Sequence, residues 1–285
     1  MITSVRNGLV QRARKLRRRG MRDRAREFLV EGSNGIEGAL ESGRRLEVLF
    51  VSRPTGATSQ GATSRGATSQ GAASPGGEGQ FDGLVETARS ARVPIFEVSP
   101  EVMQAISDAE TPPGAVAIAP FVDVDPTQLL DSGSDLFVVL AEVRDPGNLG
   151  TILRTARAAG AGGVFLTEGT VDVYNPKVVR ASAGALFHLP VAREVAVPWV
   201  LAELGGRHIR RVAADPSATA SYDEVDMRGP SALVFGNEAW GLPGEAVAVV
   251  DERASIPMRA SAESLNVGVA AAVFLFEAVR QRRRR

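Results

Sequence analysis

The chain contains no cysteine. Disulfides, a thiolate nucleophile, thiolate-bound zinc and iron–sulfur clusters are thereby excluded. Histidine is nearly as scarce, with only His188 and His208 among 285 residues, so a polyhistidine metal site is not expected. Neither histidine lies beside a nucleophile-elbow sequence, which argues against a hydrolase triad. The basic start lacks the apolar stretch of a secretory signal. The longest strongly apolar run, Val267 to Phe276, is well short of the ~20 residues that cross a bilayer. A cytoplasmic protein without a membrane partner is therefore expected. Nucleotide-site signatures are missing too: there is no P-loop, and Val143-Arg144-Asp145-Pro146-Gly147-Asn148 does not fit GxGxxG. Gly160-Ala161-Gly162-Gly163 precedes a strand and reads as a helix stop.

What is present suits a soluble globular protein, with 44% hydrophobic and 23% charged residues. The net charge is zero but unevenly spread. Between Met1 and Arg26 ten Lys or Arg face one acid, Asp23, and the chain ends on Arg280 and Arg282 to Arg285. Such ends suit a grip on a polyanion through counterion release, or a solvated helix face and a frayed tail.

Residues 56–75 are four tandem pentads, GATSQ, GATSR, GATSQ and GAASP. With no large apolar side chain they cannot bury a face, so residues 54–80 read as a flexible surface insertion. Around it, strands at 46–51, 94–98 and 115–119 alternate with helices at 81–91 and 100–106, an α/β pattern for a domain of residues 1–120. The polar stretch 121–134 reads as a linker. In residues 135–285 alternation resumes, with strands at 136–142, 163–167, 189–192, 209–213 and 232–235. Helices at 149–159, 175–186, 197–204, 244–250 and 265–280 separate or follow them. This implies a parallel sheet covered on both faces. The last helix is apolar nearly all round, so it is buried within one chain or against a partner.

Three segments pair small or apolar residues with polar side chains that have no obvious place in a core. They are Asn148-Leu149-Gly150-Thr151-Ile152-Leu153-Arg154, Gly236-Asn237-Glu238, and Ile256-Pro257-Met258 running on to Ser264-Leu265-Asn266. Each has a plain structural reading. Asn148 suits a helix N-cap and Ser264 a cap of the final helix, with Asn266 an early helical residue. Arg154 suits a surface ion pair, and Glu238 a first-turn acid at a helix N-terminus. Yet Gly236 follows an apolar strand, at the sheet edge where open α/β proteins bind ligands. Pro257 lacks a ladder donor, so its segment suits a loop wall and not a central strand.

The order and spacing of these segments resemble the three signature motifs of the SpoU–TrmH family of RNA ribose 2′-O-methyltransferases, in the knotted SPOUT superfamily. The resemblance spans roughly residues 135–281. Ile2-Thr3-Ser4 and Phe28-Leu29-Val30-Glu31-Gly32 resemble the substrate-binding domain that precedes many members. What this implies is an α/β fold: a knotted parallel sheet with helices on both faces, after a smaller α/β RNA-binding domain. It further implies S-adenosylmethionine as cofactor, no metal, structured RNA (rRNA or tRNA) as partner, and a homodimer with active sites near the subunit interface. Carried over residue by residue, it makes Asn148, Arg154, Glu238, Ser264 and Asn266 catalytic-pocket residues. It makes Gly236, Ile256, Met258 and Leu265 cofactor contacts. The leading expectation is methylation of a ribose 2′-hydroxyl in rRNA. A tRNA methyltransferase, an antibiotic-resistance enzyme acting on one rRNA nucleotide, and a non-catalytic RNA-binding or assembly factor are the alternatives.

Overall fold

The computed structural model describes residues 1–52, 78–259 and 264–283. The chain divides into two compact units, Met1–Pro120 and Phe121–Arg285. The pentad repeats lie outside the described residues.

The first unit contains helices α1 (Gly8–Lys15), α2 (Arg19–Ala25), α3 (Ser33–Glu41), α4 (Glu78–Ser90) and α5 (Pro100–Ile106). Its strands are β1 (Glu27–Glu31), β2 (Val48–Val51), β3 (Ile95–Glu97) and β4 (Ala115–Pro120), in the order β1-β4-β2-β3. The basic opening segment is not simply a solvated face. Val10, Ala13 and Leu16 recur at helical spacing and are buried in this unit's core. Arg12 pairs with Glu27 and Arg17 with Asp108. Buried Arg22 donates to the carbonyls of Leu16 and Arg17 at 2.9 Å each. Arg14, Lys15, Arg18 and Arg24 remain exposed.

The second unit holds six strands: β5 (Leu136–Leu140), β6 (Gly163–Thr167), β7 (Val191–Val195), β8 (Arg210–Ala214), β9 (Ser231–Phe235) and β10 (Glu252–Ala254). All pair in parallel, in the order β10-β8-β9-β5-β6-β7. Helices α6 (Pro126–Leu130), α7 (Pro146–Ala158), α8 (Pro176–Ala181), α9 (Val197–Gly206), α10 (Gly244–Val247) and α11 (Val267–Arg282) complete it. Successive strand residues face opposite sides of the sheet. Phe137, Val139 and Val234 therefore join Leu129, Leu130, Val200, Leu201 and Leu204 on the α6–α9 side. Phe235 meets Phe274 of α11 edge-on at 5.9 Å, on the other side, where α11 packs on α7 and α7 on α8. From central β5 the chain moves outward through β6 and β7, then returns to lay β8 and β9 beyond β5's other edge. The boundary of β5 and β9 is thus a topological switch point, open at the strands' carboxyl ends.

Several expectations change on contact with the structure. The 121–134 stretch is no linker: α6 buries Leu129 and Leu130, and Val124 donates to the Val191 carbonyl. The buried Tyr174 hydroxyl accepts from the amides of Val122 and Asp123 and donates to Asp123 Oδ1 at 2.6 Å. Burial first, and then this carboxylate, push that phenol well above its usual pKa. A polar composition hid these anchors because only a few side chains carry them. The helix expected over 175–186 ends at Ala181, since Ala183 and Gly184 take positive φ and a 3-10 turn, Ala185–Phe187, follows. Strand β10 was not expected; it is only three residues long at a sheet edge. Arg282 belongs to neither a frayed tail nor a free grip, because it donates to the carbonyls of Met227, Gly229 and Asp135.

Candidate active site

The switch point is built from three loops. After β5, Glu142 takes φ 57°, an uncommon conformation for a residue with a Cβ. Its carbonyl accepts from Asn237 Nδ2 at 2.7 Å. Asp145 then caps α7 by accepting from the Asn148 amide at 2.8 Å, with Pro146 as first helical residue. Asn148 is therefore not the cap; it stands in the first turn with its side-chain amide free for other work. Gly150, in the same turn, lets α7 press on α8: a Cβ there would lie 2.3 Å from that of Ala181.

Beyond β9, Gly236 leads into a closed loop. Asn237 and Gly241 exchange both backbone hydrogen bonds at 2.9 Å, and Asn237 Oδ1 accepts from the Ala239 amide at 2.8 Å. A Cβ on Gly236 would lie 2.3–2.5 Å from backbone atoms of Gly241 and Leu242. The glycine is thus required by the fold of its own loop. Glu238, at the tip of that loop, is not in a helical first turn.

The third loop ends at Asn266, which caps α11 through Oδ1 to the amides of Gly268 and Val269. The cap is Asn266 and not Ser264. Its remaining amide group donates to Asn148 Oδ1 at 2.7 Å, and Asn148 Nδ2 donates to Glu238 Oε1 at 2.8 Å. The direction of this relay is set at both ends. A carboxylate can only accept and helix amides can only donate, so each Asn amide has one orientation that satisfies the chain. Residues 118 and 90 positions apart are thereby tied into one polar line.

A cavity of about 1040 Å³ opens over these loops. Asn148, Glu238, Ser264 and Asn266 contribute polar side chains to its lining. Gly236, Ile256, Met258 and Leu265 line it too, beside Phe235, Ala254 and Phe274. Of the expected residues only Arg154 stands outside it. Arg154 is exposed on α7, six residues beyond Asn148 and so roughly 9 Å further along the axis. It makes no ion pair among the described residues. Asn237, which the second segment contains but to which no role was assigned, belongs to this region, as do Arg144 and Trp240, which were not expected. For the Asn237 loop the available signal was a strand followed by a Gly-Asn turn pair. Asp145-Pro146 was a readable cap-and-first-turn signal that would have moved the helix start forward.

Among the described residues no cluster of His, Asp and Glu could hold a metal ion, and no helix is long and apolar enough to cross a membrane.

Comparison with known proteins agrees with this geometry. Residues 135–276 match the SpoU rRNA Methylase family, and residues 7–117 match the MRM3-like substrate binding domain. A 23S rRNA (guanosine(2553)-2′-O)-methyltransferase of Bacillus subtilis is 30% identical over 96% of the chain and 97% of its own length. The structure of the SpoU methyltransferase AviRb from Streptomyces viridochromogenes in complex with AdoMet superposes with a TM-score of 0.80. Its identity is 30%, over 97% of this chain and 98% of its own. The AdoMet-bound rRNA methyltransferase of Sinorhizobium meliloti gives 0.79 at 29% identity, over 98% and 97% of the two chains.

Proposed function

The chain belongs to the SpoU rRNA methylase family, and on that premise we propose that it methylates a ribose 2′-hydroxyl in ribosomal RNA, using S-adenosylmethionine. The observation that carries this is the cavity at the β5–β9 switch point, with one apolar part and one polar relay. The fit to the cofactor is good. Ile256, Met258 and Leu265 give an adenine ring apolar walls, and glycine at 236 leaves backbone groups accessible. When bound, S-adenosylmethionine supplies an electrophilic methyl on its sulfonium, so no metal is required.

The chain's own residues then position the nucleophile. Glu238 holds Asn148, Asn148 holds Asn266, and these amides with the Ser264 hydroxyl present donors and acceptors to a ribose and its phosphate. Arg154 stabilises the alkoxide that develops on the 2′-oxygen. It does not act as a base, because a guanidinium stays protonated in proteins.

The same reading makes the chain a cytoplasmic homodimer with a knotted loop cluster that involves the segments around Gly236, Ile256 and Leu265. Supporting the dimer, α11 buries Gly268, Ala271, Phe274 and Leu275 within its own chain but leaves an apolar stripe. Val269 and Phe276, seven residues apart on one face of the helix, are each 49% exposed there. A two-fold partner across this stripe explains why Arg154 stands outside its own cavity: it serves the neighbour's. Replacing Phe276 with Asp should yield a folded monomer by light scattering; an unchanged dimer mass would remove this interface. Methyl transfer from radiolabelled cofactor to unmodified rRNA, read by 2′-O-methylation mapping, tests the function itself. No transfer to any rRNA would overturn it.

A further inference from the structure

Two large aromatic side chains are conspicuously exposed among the described residues, Phe276 on the α11 stripe and Trp240, which is 52% exposed. Trp240 lines the cavity, on the same loop as Glu238 and two residues beyond it. That loop is closed by the paired Asn237–Gly241 bonds and anchored to the Glu142 carbonyl, so the indole is presented from a braced turn. The guanidinium of Arg144, another cavity residue, lies over the ring at 4.7 Å from its centroid. Arg144 is in turn held by Glu142 at 3.6 Å and remains 61% exposed. A braced, half-exposed indole with a cation on its face resembles the platforms on which proteins stack unpaired bases, where arginine adds charge for the phosphate.

Room and chemistry both favour such an occupant. The cavity volume, about 1040 Å³, lies at the upper end for a single small ligand, leaving space for a nucleoside beside a cofactor. A ribose whose base stays stacked in a duplex cannot descend into a pocket, so enzymes acting there splay the nucleotide out.

We propose that Trp240, with Arg144, is the stacking platform for the splayed base of the nucleotide being methylated. This rests on the methyltransferase reading above. It makes Trp240 a substrate-binding residue that touches neither the methyl group nor the 2′-oxygen.

The test uses the full chain, S-adenosylmethionine and an unmodified rRNA transcript. Trp240→Ala should lower kcat/KM for the transcript by about tenfold to a hundredfold, mostly through KM, while Trp240→Phe retains most activity. Cofactor affinity by calorimetry and the oligomeric mass should match the unaltered chain. In a Trp199→Phe background, which leaves Trp240 as the reporting tryptophan, emission should be quenched by the transcript and not by the cofactor alone. Unchanged kcat/KM, or emission indifferent to RNA, would overturn the proposal. An equal loss of cofactor affinity would make Trp240 a cofactor wall, and a change of mass would make it a subunit contact; either also overturns it. If the unaltered chain transferred no methyl, the methyltransferase reading would fail by itself, and the quenching arm would still decide the stacking.

Discussion

Replacing Gly236 with Ala is the smallest change that should disable cofactor binding. The added Cβ would lie 2.3 Å from the Gly241 carbonyl carbon, 2.4 Å from its oxygen and 2.5 Å from the Leu242 nitrogen. Gly236 cannot retreat, because the preceding strand β9 is fully buried and paired on both edges. Residues 237–242 must therefore withdraw by about 1 Å to regain ordinary contact. The loop resists through two backbone bonds between Asn237 and Gly241 and the bond from Asn237 to Glu142. Overpacking of this kind costs about 1–3 kcal/mol. Loss of a strained hydrogen bond adds about 1 kcal/mol. A total near 3 kcal/mol corresponds to cofactor binding weakened by about a hundredfold. If the fold bears the strain instead, it corresponds to a melting temperature roughly 5–10 °C lower. Calorimetric titration and differential scanning calorimetry on the same samples read both. Gly244→Ala is the matched control, since a Cβ there meets nothing within 4 Å. Wild-type cofactor affinity together with an unchanged melting temperature in Gly236→Ala would refute the reasoning.

Other consequences concern separate parts of the molecule. If Arg154 serves the neighbouring cavity, Arg154→Ala and Asn148→Ala homodimers should each lose about a hundredfold or more in transfer. Mixed dimers should then regain activity, because one of their two cavities is intact; absence of rescue would return Arg154 to its own chain. Changing exposed Arg14, Lys15, Arg18 and Arg24 to Gln should flatten the salt dependence of RNA binding while cofactor affinity holds. Deleting this segment would not be a clean test, since Val10, Ala13 and Leu16 are core residues. Asp251 accepts from Arg211 Nε, Nη2 and the backbone amide at 2.6–2.8 Å, and chiefly these bonds hold its carboxyl below the usual range. Its folded pKa is depressed, so its stabilisation is present above the ordinary carboxylate value of about 3.9 and disappears as pH falls through the folded value. Asp251→Asn should thus cost on the order of 1 kcal/mol at neutral pH, after solvent screening. That deficit, read by denaturant melts, should vanish in strong acid; a deficit independent of pH would contradict the ion pair.

The sequence alone determined the fold class and singled out the segments that meet at the cavity. Apolar strands alternating with helices specify a covered parallel sheet, because β5, β6 and β9 bury both faces and need helices on each. The three polar-bearing segments could be recognised because Gly236, Pro257 and the paired asparagines suit loops better than a core. The N-terminal helices were harder to read, since Leu9, Val10, Ala13 and Leu16 give only a short apolar signal within a run of arginines. Residues 121–134 failed for a similar reason: two leucines and one distant tyrosine hold them, and composition averages such contacts away. Tertiary structure alone decided the division of labour within the motifs. Asp145, not Asn148, caps α7, and Asn266, not Ser264, caps α11. These choices turn on a shift of two or three residues in a helix start, which propensity does not resolve. Only the folded chain joins Glu238, Asn148 and Asn266 into one relay, because hydrogen bonds across 90 and 118 residues have no signature in local sequence. Likewise, Trp240 over the cavity and Arg154 outside it follow from which way each backbone turns at the sheet's carboxyl edge, a direction set by packing and not by the residues' own identities.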